Sequence, residues 1–436
     1  MKSNLAVALL PLAGIVAMAA TTSTSAPTYY RDVVPIFQEH CQECHRAGEI
    51  APFALTDYKS ARPWAKAIKA AVLSRKMPPW FADPHFGHFA NDRSLSKAQI
   101  DTLAAWTDAG APEGSAKDAP PLKHWADGWN IPEPDAVIRM PQAFKVPASG
   151  EVDYQYIVIP TGFTEDKWIQ MAEMRPSARN VVHHVVVFVR PPTSNWLRGE
   201  AEPGVPFTPP KKNKDGSARG DIGGDNGRNE ILTIFTPGMV PDVWRSGVAK
   251  RIPAGSDLVF QIHYTPTGKE IEDQGRIGLI FAKEAPPVRA MTLAPANQSF
   301  KIPPGDPNYE VDFKTVLPNG ATIMSFFPHM HLRGKGFEYR ATYPDGHAET
   351  LLKVNYDFHW QLSYKVEKPI ELPPGTRLEL AAWFDNSANN PWNPDPKSEV
   401  RWGEQTREEM MIGFVDIELP ANQSLMQFFS RKKSTD

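Results

Sequence analysis

Two rhythms of hydrophobic and polar positions divide this 436-residue chain. Asp32 to Cys41, Tyr58 to Ser74 and Ser96 to Ala109 carry apolar residues at helical spacing. In the last, Ile100, Leu103, Ala104 and Trp106 share a face, Ser94 or Ser96 is placed to cap the start, and Gly110 to stop it. From Val137 onward the helical period disappears. Val181 to Val189, Asp257 to Tyr264, Phe337 to Tyr343 and Arg377 to Phe384 are strand-like runs bounded by Pro, Gly, Asn and Asp. The pattern predicts a small all-α domain followed by an all-β region.

Ahead of both, Lys2, an apolar run from Leu5 to Ala20 and the small residues around Ala17-Met18-Ala19 read as a secretory signal over residues 1–25, cut near Ala20. The alternative is an uncleaved anchor, although the run is short and broken by Pro11. No other apolar stretch approaches spanning length, so no stable membrane span is expected after cleavage, and the location is periplasmic or secreted. Residues 27–115 form the helical domain and 116–130, with Ala119-Pro120-Pro121, a linker. Two β domains follow over 131–283 and 284–425. The division in two rests on an internal echo. Ile252-Pro-Ala-Gly-Ser-Asp-Leu258 through Tyr264 matches Leu372-Pro-Pro-Gly-Thr-Arg-Leu378 through Phe384, one strand entered by the same turn in each half. This favours two related sandwiches over one large sheet.

Composition narrows the class. Forty-three prolines are about twice the usual ~5% usage, which suits short strands and turns. A net charge of −3 gives no basic field for nucleic acid or anionic membrane. There are two cysteines, Cys41 and Cys44, so no disulfide framework braces an exported fold.

Those cysteines stand in Cys41-Gln-Glu-Cys44-His45, the covalent haem-attachment pattern: two thiols for the porphyrin vinyl groups, then an imidazole for the iron. A redox disulfide or half a zinc site are the rival readings, but no second ligand pair and no βαβ surroundings accompany the motif. Met77, in Lys76-Met-Pro-Pro-Trp80, is the candidate second axial ligand. The stretch from Pro27 to about Gly114 resembles a small class I cytochrome c.

Five of the 12 histidines lie in the β region in arrangements suited to metal: His183-His184, His263 and His329-Met330-His331. A His-x-His pair on a strand places both imidazoles on one face. Adjacent histidines normally face opposite ways, so His183 and His184 share one ion only with a bulge or strong twist. Imidazoles without cysteine or clustered carboxylates suit copper, zinc, nickel or iron, and a thioether from Met410 or Met411 would favour copper.

From roughly Val137 to Leu419 the chain resembles the type II copper, ascorbate-dependent monooxygenases, the family of peptidylglycine α-hydroxylating and dopamine β-monooxygenases. The resemblance is carried by Ile138-Arg-Met-Pro141, His183-His184, Gln261-Ile-His263-Tyr264, His329-Met-His331 and Glu409-Met410. It implies two eight-stranded jelly rolls with metals facing a cleft between them. One copper, which stores an electron, would be held by His183, His184 and His263. The other, which activates oxygen, would be held by His329, His331 and Met410, with Met411 where the family has a cysteine. Phe327 stands where the peptide-amidating members bind a substrate carboxylate with Arg, and Ile412 and Phe414 where they carry Asn and Tyr. The implied function is hydroxylation of a C–H bond in a small hydrophobic molecule with O2. Electrons would come from an external donor, ascorbate or a periplasmic redox protein, and be relayed by the one fused haem c to the two coppers. The rival is a periplasmic copper-binding or electron-transfer protein with no oxygenase activity.

Overall fold

The computed structural model describes residues 26–125, 128–200, 202–210 and 229–430; the signal segment over 1–25 and part of the 116–130 linker lie outside the described residues. Most of the structure is β-sheet. The helices gather near the N-terminus: Tyr29–Val33 continuing into Val34–His40, then Tyr58–Ala61, Ala65–Leu73 and Lys97–Asp108, with Leu425–Phe429 at the far end. Their apolar faces meet around Tyr29, Phe37, Leu103 and Trp106. Lys97–Asp108 begins as its pattern predicts. Ser96 and Gln99 form a reciprocal capping box that satisfies two otherwise orphaned N–H donors.

This helical part is not self-contained. Between the last two helices the chain leaves the helical core and lies across the C-terminal half, where Trp80 and Phe89 pack on Tyr364 and single bridges join Ala82 to Val354 and Phe89 to Val366. Two apolar rings and two backbone pairings draw the segment out. It lacks the helical period that would hold it against Phe37 and Trp106.

Each β half contains eight principal strands, once the short pairs Phe144–Val146 with Ile271–Asp273 and Lys301–Ile302 with Val400–Arg401, and the two-residue Asp242–Val243, are set aside. Counted in chain order within a half, both halves show the same neighbours: 1-8-3-6 in one sheet and 2-7-4-5 in the other. That is the jelly-roll order. The echoed strands, Asp257–Tyr264 and Thr376–Phe384, are number seven in each half. Each enters from a turn closed by a glycine at positive φ, Gly255 at 69° and Gly375 at 87°, a conformation that a side chain would strain.

One expectation is corrected. The two sandwiches do not keep separate sheets: Val248–Ile252 runs parallel to Val288–Leu293, with Val248 opposite Val288 and Ala249 opposite Arg289, and so makes one sheet continuous through both. The sandwich interiors remain distinct, one around Val185, Phe260 and Ile277, the other around Phe326, Tyr339 and Leu380. A further apolar cluster lies between the halves and joins Tyr156, Val186 and Phe188 of the first to Phe327, Met410, Ile412 and Phe414 of the second. The candidate ligands lie at the edge of that cluster. Among the described residues no helix is long and apolar enough to cross a membrane.

Candidate metal centre

Strand Val182–Arg190 supplies the first two histidines. Val185, Val187 and Val189 enter the sandwich core, while Val186 and Phe188 face the other half. Strict alternation would send His184 to the second face, yet would also place Val182 there, and Val182 lies in the core. The ladder resolves this with a register shift: Val182 pairs with Tyr264 and His184 with His263, leaving His183 as an extra residue. Such a bulge lets two residues oppose one and re-aims a side chain. One ligand atom from each of His183, His184 and His263 then lies within 4.8 Å of the others.

The second half contributes from a non-equivalent strand. His329 ends Ala321–His329, opposite Ile412, and His331 follows in the turn, with ring centroids 5.3 Å apart. Met410 lines the same cavity as His184 and His329, whereas Met411 is buried in the C-terminal core. Alternation alone does not choose between these thioethers; packing turns Met410 toward the histidines. Met330 is a core residue.

Hydrogen bonds fix the rings. Nδ1–H of His329 donates to Gln361 Oε1 at 2.6 Å, and Nδ1–H of His331 to the Glu408 carbonyl at 3.1 Å. Each Nε2 lone pair is thereby left for another partner, the arrangement that orients metal-binding imidazoles. His263 meets Thr406 Oγ1 through Nε2 at 3.2 Å. The other nitrogen of His263 (Nδ1), together with Nε2 of His183 and of His331, is buried with no hydrogen-bond partner. Orphaned buried nitrogens are costly unless something binds them. Burial holds His183 and His329 down to about 4, and His184, His263 and His331 well below their ordinary value. All five are therefore neutral near pH 7 and present lone pairs. Soft, neutral donors with a thioether at hand fit copper; among the described residues no carboxylate falls within the group of His183, His184 and His263, although Glu404 lines the adjoining cavity.

The supporting shell came from residues that periodicity does not mark. Phe358 stacks on His183 at 4.3 Å and reaches His331 at 6.2 Å. Tyr154 lies edge-on to His184 and His263. Glu409 is fully buried and accepts from the backbone N–H of His331 and of Arg333, which ties the turn carrying His331 to the segment carrying Met410. Burial pushes its carboxyl up to about 8, against those N–H groups and Arg333, which favour the charge. The cavity among Val186, Phe327, Ile412 and Phe414 is about 30 Å³, room for a water or two. Nearby, Tyr356 bonds the Met330 backbone and His359 is exposed beside Asp357.

In the helical part Cys41 and Cys44 are free thiols, and burial pushes Cys41 up to about 12. Nδ1–H of His45 donates to the Phe53 carbonyl at 3.1 Å, leaving Nε2 as an acceptor. Phe53 packs on His45 at 4.6 Å and stacks on Trp64 at 4.2 Å, and Trp64 is 41% exposed. A free imidazole nitrogen beside an uncovered apolar platform fits a flat porphyrin. Met77 is half-buried, and no described ring or hydrogen-bond contact joins it to His45.

No known family model matches the chain, and neither does any curated protein. Among solved structures, the STIV MCP is 10% identical, with 60% of this chain and 92% of that one covered at a TM-score of 0.21. The infectious bursal disease virus Gx strain structure is 8% identical, covering 70% and 76% at 0.20. Allantoicase from Saccharomyces cerevisiae is 10% identical, covering 63% and 80% at 0.18. Likenesses at such TM-scores bear on neither the fold nor the function of this chain.

Proposed function

We propose that this protein is a haem- and copper-containing monooxygenase that hydroxylates a C–H bond of a small hydrophobic molecule. The observation that carries the reading is the set of five neutral histidines beside a thioether, four of them buried and His183 half-buried, three of the five with orphaned nitrogens. In this reading His183, His184 and His263 hold one copper, and His329, His331 and Met410 the other. Copper so held supplies one-electron redox chemistry and activation of O2. Gln361 and the Glu408 carbonyl keep Nδ1 of His329 and His331 protonated, so that Nε2 is the donor atom. Phe327, Ile412 and Phe414 make much of the wall beside the ligand set apolar, with Glu404 as a charged residue in the same lining. Cys41, Cys44 and His45 would hold the haem, which would supply electrons singly.

The test is metal and haem analysis of the exported protein, then oxygen uptake with reductant across a panel of small apolar compounds. One haem and two coppers per chain with substrate-dependent uptake are expected. Zinc in place of copper would remove the mechanism. The cavity of about 30 Å³ favours a second reading, a copper-binding or electron-transfer protein, because it admits no substrate unless the site opens. Full copper loading without substrate-dependent uptake would select that reading.

A further inference from the structure

Where three strands of the first half reach one end, arginines face one another where sheet pairing ordinarily avoids it. Arg139 of Ala136–Arg139 is directly opposite Arg276 of Arg276–Phe281, and Arg276 is directly opposite Arg175 of Lys167–Arg175. Three guanidinium groups thus form one row across three adjacent strands. Like charges directly opposite destabilise a sheet. Arg179 joins them from the following loop, and the four line a cavity of about 480 Å³ together with Glu49 and Gln274.

The carboxylates present do not balance the row. Glu49 is already shared: it meets Arg46 at 3.1 Å, Arg175 at 3.2 Å and also Arg179. Glu173 meets Arg175 at 2.6 Å and accepts from the Asn130 and Ile131 backbone. Among the described residues Arg276 meets the Gly128 carbonyl at 3.4 Å and the face of Trp129, and no carboxylate within ion-pair distance. Arg139 is exposed, with no carboxylate partner among the described residues. Five guanidinium groups therefore meet two carboxylates, in a chain whose net charge is −3. Burial first, and then the neighbouring arginines, lower the proton affinity of Arg276 and Arg179, against the opposing carboxylates.

A cavity this size suits a small molecule, and a planar fork of N–H donors suits carboxylate and phosphate oxygens. We infer that it is a binding site for a small, multiply charged oxyanion, a di- or tricarboxylate or a diphosphate, held mainly by Arg139 and Arg276 with Arg175 and Arg179 behind. The cavity shares no lining residue with the one beside the histidines. It adjoins the loop that carries Cys44 and Glu49, so the same carboxylate chemistry has a second source, the propionates of a haem bound at Cys41 and Cys44.

The experiment is calorimetric titration of the full-length, haem-loaded protein with pyrophosphate and with citrate, in phosphate-free buffer. One equivalent of at least one probe should bind, about ten- to hundredfold more weakly in Arg139→Gln and in Arg276→Gln. Arg139 is exposed and away from the cores, so Arg139→Gln without probe should leave the melting temperature unchanged or raise it, by relieving repulsion. No binding of either probe to the wild type, or binding that both variants leave intact, would overturn the inference. So would a lower melting temperature in Arg139→Gln without probe binding, which would make the row structural. A Cys41→Ala/Cys44→Ala protein separates the two sources: probe binding there but not in the haem-loaded protein assigns the arginines to the propionates and overturns a free-ligand site.

Discussion

His184 of the first jelly roll and His329 of the second stand with ring centroids 5.9 Å apart, nearly perpendicular to each other. The resemblance to copper monooxygenases implies two ligand sets facing a cleft. Here they adjoin. His184 also lies 5.1 Å from His263 and 5.4 Å from His183, so it is the ring that touches both sets.

His184→Ala should therefore reach beyond its own set. We expect it to remove one copper per chain and to weaken the second, whereas His183→Ala, whose ring packs against Phe358, should remove one and spare the other. Elemental analysis gives the stoichiometry, and thermal denaturation across a copper series gives the affinity. A ligand at a hundred times its dissociation constant stabilises by about 2.7 kcal/mol, so a lost site appears as a missing shift. Full loading of His184→Ala would contradict the adjoining arrangement.

Gln361 is the next point of leverage. Its Oε1 fixes the His329 tautomer, and its carbonyl accepts from Thr236. Gln361→Leu leaves a buried Nδ1–H unpaired, which costs about 1–3 kcal/mol. It should also weaken metal binding about ten- to a hundredfold, the usual effect of removing an orienting partner. Gln361→Glu restores the acceptor and should recover most of the affinity. Equal loss in both variants would show that Gln361 acts through packing alone.

Much of this arrangement was legible in the sequence. The Ser96 cap, the strand runs and the paired Pro-x-Gly entries follow from local rules, and those rules act over a few residues. The bulge at His183 does not. Alternation argues against two adjacent histidines sharing a face, and only the pairing with Asp257–Tyr264 shows the extra residue. Gln361 and Phe358 lie in an irregular stretch with no period to mark them, and their partners are distant in the chain. The choice of Met410 over Met411 likewise depends on which sandwich each one packs against. The continuous sheet depends on a parallel pairing between strands of different halves, which no local pattern records.

Acid should destabilise the metal-free protein at mild pH. His183 and His329 are held to about 4 in the fold, against 6.5 ordinarily, chiefly by burial. The unfolded chain takes up these protons as pH falls through 6.5, and the folded chain not until about 4. Stability is therefore full above 6.5 and declines as pH falls toward 4, by about 3 kcal/mol per histidine. Urea denaturation at about pH 7 and about pH 5 measures the sum over all five lowered histidines, so His329→Gln should remove about one fifth of the difference. A flat profile would mean that these imidazoles are hydrated in the metal-free protein.

Cys44 and Glu43 face strand Glu230–Phe235 across a cavity of about 40 Å³, lined also by Ile234. Ile234 lines the histidine cavity too, beside Thr236, whose hydroxyl bonds the Gln361 carbonyl. A short packed route therefore runs from the cysteine loop through Ile234 and Thr236 to Gln361 and His329. If electrons pass this way, mixing fully reduced protein with O2 should reoxidise the haem quickly in the wild type, and at least about tenfold more slowly in His329→Ala, a barrier difference of about 1.4 kcal/mol. Thr236→Val, which keeps the bulk and removes the hydroxyl, should slow it less. Haem that reoxidises equally fast in His329→Ala would be reacting with oxygen directly, and the two parts of the chain would then be separate redox units on one polypeptide.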